Sequence, residues 1–191
     1  MIKCRDLINA NYNEIGNAIF LTLTYSEITD DIDQVGKNFT AFIRTFRRKI
    51  CSCEYIYVVE KQERGSWHLH VILFFDSVAP YIPNCDIEKM WGHGEVDTQK
   101  VDNCEGLALY LTSNIINDNN GVKIKNTKLT EYDKGVRIFR GSNGLKKPIV
   151  SKKSGREIMK SIEGKTLINE TSYEYTAANG FHTVVNKNTY K

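Results

Sequence analysis

The segment EYIYVVEKQERGSWHLHVILFFD, residues 54 to 76, contains two apolar runs separated by a short polar stretch. Residues 54–62 and 67–76 are rich in β-branched and aromatic side chains, and Gly65 lies between them. Runs of this kind joined by a short turn with glycine are typical of an antiparallel hairpin. The segment therefore predicts two paired strands near the middle of the chain.

The residues before and after this hairpin predict further strands and helices. Residues 18–26, AIFLTLTYS, fit a largely buried strand. Apolar residues at steps of three and four predict a helix from about 32 to 49, which Asp30 or Asp31 can cap. Downstream we expect a loop at 77–85, a short helix that ends at Gly92 and a weak strand at 94–101.

The remaining elements complete the predicted fold class. Asp102 and Glu105 have the spacing of a capping box, which predicts a helix. Residues 135–141 predict a strand and SKKSGREIMKSIE, residues 151–163, a short helix. The order of elements indicates an α+β fold, a central antiparallel β-sheet with helices packed on one face. We expect one main domain at 1–150, with 151–191 as an extension or a small arm.

Composition limits the classes of protein. The chain has 191 residues, and no window approaches the roughly 20 apolar residues of a membrane span or resembles a signal peptide. We therefore expect a soluble, cytoplasmic protein with no membrane partner. The five cysteines are scattered and are expected to be thiols, although the CxC of Cys51 and Cys53 leaves a structural zinc site open.

Charge is distributed unevenly along the sequence. Residues 1–119 contain 11 Lys or Arg and 17 Asp or Glu, a balance of −6. Residues 120–191 contain 15 and 6, a balance of +9. A basic C-terminal third predicts a polyanionic partner, and an ordinary solvated basic surface is the alternative.

Three side chains of the hairpin form a candidate metal site. His68 and His70 lie two residues apart on one strand, so they share a face at a separation of about 7 Å. If the turn centres on Arg64, Glu60 lies directly opposite His68. One carboxylate and two imidazoles suit a divalent ion, Mn²⁺ or Mg²⁺, in a catalytic site. A surface or hydrogen-bonded histidine pair is the alternative, and His93 is a weaker ligand candidate.

Tyr110 is a candidate nucleophile. It lies among apolar and small residues of the predicted helix in GLALYLTSNI, residues 106–115. A phenol beside a bound metal ion can attack phosphorus and hold the product as a phosphotyrosine. A tyrosine buried in the core is the alternative.

Three segments in this order resemble the motifs of the HUH endonucleases, in particular the single-tyrosine rolling-circle replication initiators of small plasmids and single-stranded DNA phages. FLTLTYSE (20–27) resembles the first motif, EKQERGSWHLHVILFF (60–75) the second and ALYLTSNI (108–115) the third. The resemblance covers about residues 15–150. It implies an HUH/RRM-like fold with a ferredoxin-like core, and residues 151–191 would then extend the nuclease domain or contact DNA.

The resemblance also implies roles for these residues. Glu60, His68 and His70 would bind the metal ion, and Tyr110 would nick single-stranded DNA at a replication origin. The products would be a 5′-phosphotyrosine and a free 3′-OH. Many members have lysine three residues after the tyrosine, where this chain has Ser113.

Several residues are candidate DNA contacts because single-stranded DNA binds aromatic rings and cationic side chains. These candidates are Thr24, Trp67, Arg137, Arg140, Lys146 and Lys147. Trp67 could instead support the hairpin. The sequence contains no GxxxxGK[ST] motif, so a host helicase and polymerase are expected partners.

Three rival functions fit parts of the same pattern. Relaxases place their tyrosine before the histidines, where Tyr12 stands in a polar segment expected to be irregular. A single-tyrosine transposase would use the same chemistry. A single-stranded nucleic-acid-binding module without catalysis would account for Ser113 but not for a metal site.

Overall fold

The structure is a computed structural model, and it describes residues 2–13, 15–62, 64–101, 137, 139–149, 151–176 and 180–190. The chain divides into two compact units, Met1–Pro148 and Ile149–Lys191. The assignment of 1–150 as a nuclease domain stays a prediction. The predicted helix that begins near Asp102, and Tyr110 with it, lies outside the described residues.

The first unit is built on one five-stranded antiparallel sheet. Its helices are α1 (Ile2–Asn11), α2 (Ile32–Lys49) and α3 (Asn84–Trp91), and its strands are β1 (Ala18–Leu23), β2 (Glu54–Lys61), β3 (Trp67–Phe74), β4 (Val96–Lys100) and β5 (Phe139–Gly141). The strand order is β4-β1-β3-β2-β5. From β1 to β4 the elements follow the β-α-β-β-α-β sequence of ferredoxin-like folds. The predicted α+β class is confirmed, and the arrangement is consistent with an RRM-like/HUH fold.

The hairpin of β2 and β3 forms the centre of this sheet. The two strands pair without a bulge from Glu54 opposite Phe74 to Lys61 opposite Trp67, and Gly65 has a positive φ of 87° in the turn. On its other edge β3 pairs with β1. The strand β3 is therefore paired on both edges, and its side chains pack in apolar clusters on both faces of the sheet, which explains its nearly continuous apolar sequence.

One face of the sheet packs against α2 and α3. Asp31 caps α2, and its carboxylate accepts hydrogen bonds from the backbone N–H groups of Asp33 and Gln34. The apolar stripe of the helix is buried on this face: Val35, Phe39, Phe42, Ile43 and Phe46. The helix spans the predicted residues, because its periodicity and its cap agree. The short helix α3 ends at Gly92 in the left-handed conformation, as predicted.

The opposite face is also covered, by the N-terminal helix α1. Cys4 and Ile8 pack with Phe20, Ile56 and Ile72 in a second apolar cluster. The expectation that helices cover only one face was therefore wrong, as was the expectation of an irregular segment before Tyr12. The helix has no acidic residue in its first turn and no basic residue in its last, so few local signals mark it.

The second unit contains a helix and a hairpin. Helix α4 (Gly155–Ile162) begins with a capping box formed by Ser154 and Glu157. Strands β6 (Leu167–Thr176) and β7 (His182–Tyr190) pair antiparallel. They were not predicted from the sequence, because polar residues interrupt both runs. Across the parts of the chain described, none of the helices has both the length and the apolar character needed to cross a membrane.

Gly94 gives a test of this fold. The segment around it runs beside the end of β1, where Ser26 N–H donates to the carbonyl of His93. A Cβ at position 94 would lie 2.5 Å from the carbonyl oxygen of Thr24, so Gly94→Ala must displace backbone. We expect it to lower the unfolding free energy by about 2–4 kcal/mol in urea denaturation.

The matched control is Gly92→Ala. Gly92 has a positive φ of 71°, but among the described residues no atom beyond its chain neighbours and its own helix lies within 4 Å of the added Cβ. Its cost should be limited to backbone strain of about 1–2 kcal/mol. Equal costs for the two variants would contradict the close approach at Gly94.

Candidate functional site

The hairpin places Glu60, His68 and His70 on the face of the sheet that α1 covers in part. Glu60 lies directly opposite His68, and Val58 lies opposite His70. Leu69, between the two histidines, points into the core under α2. Because side chains alternate along a strand, both imidazoles project from the other face, where Phe20 and Ile72 also lie. The register that hairpin geometry predicts is the register observed.

His70 is fixed by contacts on both sides of its ring. Its Nε2 lies 2.8 Å from Oε2 of Glu60, and its Nδ1 lies 3.4 Å from Oγ1 of Thr22 on β1. The ring stacks on Phe20 with centroids 5.8 Å apart, and the residue is only 6% exposed. The pattern is consistent with Nε2–H donating to the carboxylate and Nδ1 accepting from the hydroxyl. A histidine held in this way has a defined orientation.

His68 differs from His70 in its hydrogen bonding. Both of its ring nitrogens are buried, and neither has a hydrogen-bond partner within the part of the chain that the structure describes. Burial lowers the pKa of His68 to about 4, and the neighbouring His70 acts in the same direction. The imidazole is therefore neutral at neutral pH. A neutral imidazole with an available lone pair is the form that binds metal ions.

The donor set fits a divalent ion in part. Carboxylate oxygen and imidazole nitrogen suit Mn²⁺ or Mg²⁺ sites with open positions. The 2.8 Å between Nε2 of His70 and Oε2 of Glu60 is close to the about 3 Å between adjacent ligand atoms in an octahedral site with bonds of about 2.1 Å. The His68 and His70 ring centroids are 6.1 Å apart. Among the described residues, no three His, Cys, Asp or Glu side chains form a group that could hold a metal ion.

Thr22 is a site residue that the sequence analysis did not single out. It lies opposite His70 on β1 and opposite Asp97 on β4, so the three share one row across the sheet. The candidate predicted in this region was Thr24, which directly follows β1. Its backbone N–H donates to the Glu95 carbonyl, and its carbonyl accepts from the Trp91 indole N–H. The sequence shows which residues of β1 share a face, because side chains alternate along a strand. It does not show that β1 pairs with β3, and this pairing is what places Thr22 opposite His70.

Trp67 lies on the opposite face from His68. It is 4% exposed in the core under α2, and its indole N–H donates to the carbonyl of Asp30. A ring buried in this way presents no free face for stacking on a base. The burial favours the alternative that Trp67 supports the hairpin.

The four predicted basic contacts lie on exposed positions of the chain. Arg137, Arg140, Lys146 and Lys147 are all solvent-exposed. Arg140 pairs with Tyr57, whose side chain belongs to the core under α2, so it projects on the face away from the histidines. Lys146 bonds through its backbone to the side chain of Asn11 at the end of α1. Exposure permits contact with DNA at each position.

The described cysteines do not favour a zinc site. Cys4, Cys51, Cys53 and Cys85 are free thiols. Burial raises the pKa of Cys53 to about 11, and burial also raises the pKa of Cys51. Because zinc binds the thiolate, raised thiol pKa values work against metal binding at this CxC pair.

The neutral state of His68 predicts a pH dependence of stability. In the unfolded chain His68 is protonated below its ordinary pKa of about 6.5, whereas in the folded chain it stays neutral down to about pH 4. The unfolding free energy should therefore fall as pH drops through this window in the presence of a chelator. His68→Gln should reduce that fall, and an NMR titration of the His68 ring should give a pKa near 4. An unchanged pH profile in the variant would contradict the burial of the ring.

Comparison with known proteins gives a family match within the first unit. The family model described as Replication-associated protein ORF2 matches residues 18–119, more than half of the chain. The match begins at β1 and contains Glu60, His68 and His70 on β2 and β3. A comparison with curated proteins gave no match. The chain belongs to the Replication-associated protein ORF2 family.

Proposed function

We propose that this protein nicks and rejoins single-stranded DNA at a replication origin and so initiates rolling-circle replication. The observation that carries the proposal is the placement of Glu60, His68 and His70 on one face of the β2–β3 hairpin. Membership in a family of replication-associated proteins gives the process. The resemblance to single-tyrosine HUH endonucleases gives the reaction.

The proposed metal ligands are Glu60, His68 and His70. A bound Mn²⁺ or Mg²⁺ would polarise the scissile phosphodiester and stabilise the charge that develops in the transition state. His68 offers a neutral imidazole, and Thr22 and Phe20 orient His70. The Glu60 carboxylate, which contacts His70, would supply the negative charge of the site.

Tyr110 is the proposed nucleophile. Its phenolic oxygen would attack phosphorus, forming a tyrosine–phosphate bond as the bond from phosphorus to the 3′ oxygen breaks. The phenol loses its proton, and the released 3′ oxygen takes one up. The products are a 5′-phosphotyrosine and a free 3′-OH that primes synthesis. Since one phosphodiester replaces another, rejoining needs no ATP.

A second candidate function is a single-stranded DNA-binding module without nicking activity. His70 has a protein partner at each ring nitrogen, and Ser113 replaces a lysine common in the resembled family. The first feature is compatible with a structural histidine, and the second with a loss of catalysis. Covalent chemistry and metal affinity separate the two functions.

Covalent adduct formation tests the nicking reaction. Incubation with Mn²⁺ and single-stranded oligonucleotides that tile the protein's own replicon should give a protein–DNA adduct on denaturing gels. Mass spectrometry should locate the adduct at Tyr110. Tyr110→Phe should abolish the adduct, because phenylalanine has no oxygen nucleophile.

The matched control for this experiment is Tyr12→Phe. The Tyr12 hydroxyl donates to the carbonyl of Val101, and a relaxase-like order would make this tyrosine the nucleophile. We expect the variant to keep the adduct. DNA binding without an adduct on any tile would support the binding module instead.

Metal affinity tests the ligand set independently of DNA. Calorimetric titration with Mn²⁺ should show one site, and Glu60→Ala, His68→Ala and His70→Ala should each weaken it more than about tenfold. Asp86→Ala removes an exposed carboxylate from α3 and should leave the affinity unchanged. Equal affinity in the His68 and Asp86 variants would exclude His68 as a ligand.

A further inference from the structure

A basic groove lies between helix α2 and the edge strand β5. It is an open groove of about 620 Å³, lined by Asp33, Gly36, Lys37, Thr40, Ala41 and Arg44 of α2 and by Arg140 of β5. All of these residues belong to the first unit. We refer to this surface as the α2–β5 groove.

The guanidinium of Arg140 reaches across to the helix. Arg140 lies on the α2 side of the sheet because its partner Tyr57 packs in that core. A methyl group at Gly36 would lie 3.6 Å from Nη1 of Arg140. Burial raises the pKa of Tyr57, and the positive charges of Arg140 and Arg137 act in the opposite direction. The cation is therefore held beside α2.

The described lining of the groove has more positive than negative side chains. Lys37, Arg44 and Arg140 face one acidic lining residue, Asp33, which lies in the first turn of the helix. In the described portion of the chain, none of the three cationic side chains forms an ion pair or a hydrogen bond. Uncompensated cations on a concave surface attract anions.

The charge is concentrated on α2 against the local trend of the sequence. Residues 1–119 have a balance of −6, yet five of their 11 basic residues lie on α2: Lys37, Arg44, Arg47, Arg48 and Lys49. From Lys37 to Arg48 the helix rises about 16 Å. Arg47 is engaged by the Cys53 carbonyl and the Glu54 carboxylate. Lys37, Arg44 and Arg48 are spaced seven and four residues apart and so share one side of the helix. These three cations form an elongated array that suits a linear polyanion better than a single small anion.

The lining favours duplex DNA as the polyanion. None of the described lining residues is aromatic, and single-stranded binding relies on stacking of bases on aromatic rings. Contacts from Lys and Arg to phosphates position a duplex without reading its sequence. The groove also lies on the α2 face of the sheet, whereas Glu60, His68 and His70 lie on the other face.

We infer that the α2–β5 groove binds the phosphate backbone of duplex DNA independently of sequence, through Lys37, Arg44 and Arg140. This contact is additional to the one proposed between the candidate metal face and a single strand. Duplex binding by the groove requires neither the metal ion nor Tyr110, so it can be tested independently of the nicking proposal.

The test compares two double variants of the full chain that each remove two positive charges. Arg44→Ala with Arg140→Ala changes the groove. The control, Lys89→Ala with Lys165→Ala, removes exposed cations from α3 and from the second unit. Binding to a random-sequence duplex is measured by fluorescence anisotropy over a range of salt concentrations, without divalent metal.

The groove variant should bind the duplex on the order of tenfold more weakly than the control, with a plot of log K against log salt that is shallower by about two. Arg44→Lys with Arg140→Lys keeps the charge and should restore most of the affinity, which distinguishes lost contacts from lost folding. Equal affinity and slope in the groove and control variants would overturn the inference. So would loss of binding to a poly-glutamate peptide with duplex binding unchanged, since the groove would then fit an acidic protein.

Discussion

The pairing register of β2 with β3 is the constraint on which the candidate site depends. Side chains alternate between faces with a period of two, so a slip of one residue would turn His68 and His70 into the core under α2. It would also turn Leu69 and Trp67 out of this core, where both are buried in the observed register. The apolar residues of the hairpin therefore fix the position of its polar ones. Core packing and site geometry are specified by the same hydrogen bonds.

The register also determines the environment of the histidines. The site lies on a sheet face that α1 and the apolar cluster of Phe20, Ile56 and Ile72 partly cover. Apolar neighbours disfavour the charged imidazole, and the pKa of His68 falls to about 4 as a result. A neutral imidazole without a hydrogen bond from the described residues is costly to bury unless it gains a partner. The metal ion proposed for this site would supply that partner.

The features that could be predicted from the sequence are those that depend on local interactions. The β2–β3 hairpin and α2 were predictable because strand alternation, the turn glycine and the Asp31 cap act within a few residues. Glu60 opposite His68 followed from hairpin geometry alone. The contact of Thr22 with His70 did not, because it requires the order of strands in the sheet. Helix α1 was missed because long-range packing against Phe20 and Ile72 holds it, with little help from its own sequence.

The two faces of the sheet divide the chemistry of the first unit. The face of His68 carries the proposed metal ligands, while the face of α2 carries cations that suit an anion. If both were on one side, Lys37 and Arg44 would compete with the metal ion for Glu60 and would repel it. Placing β5 at the sheet edge lets Arg140 join the helix side without approaching the histidines. Alternation along β5 is therefore as important as alternation along β3, since it determines which side of the protein receives the added positive charge.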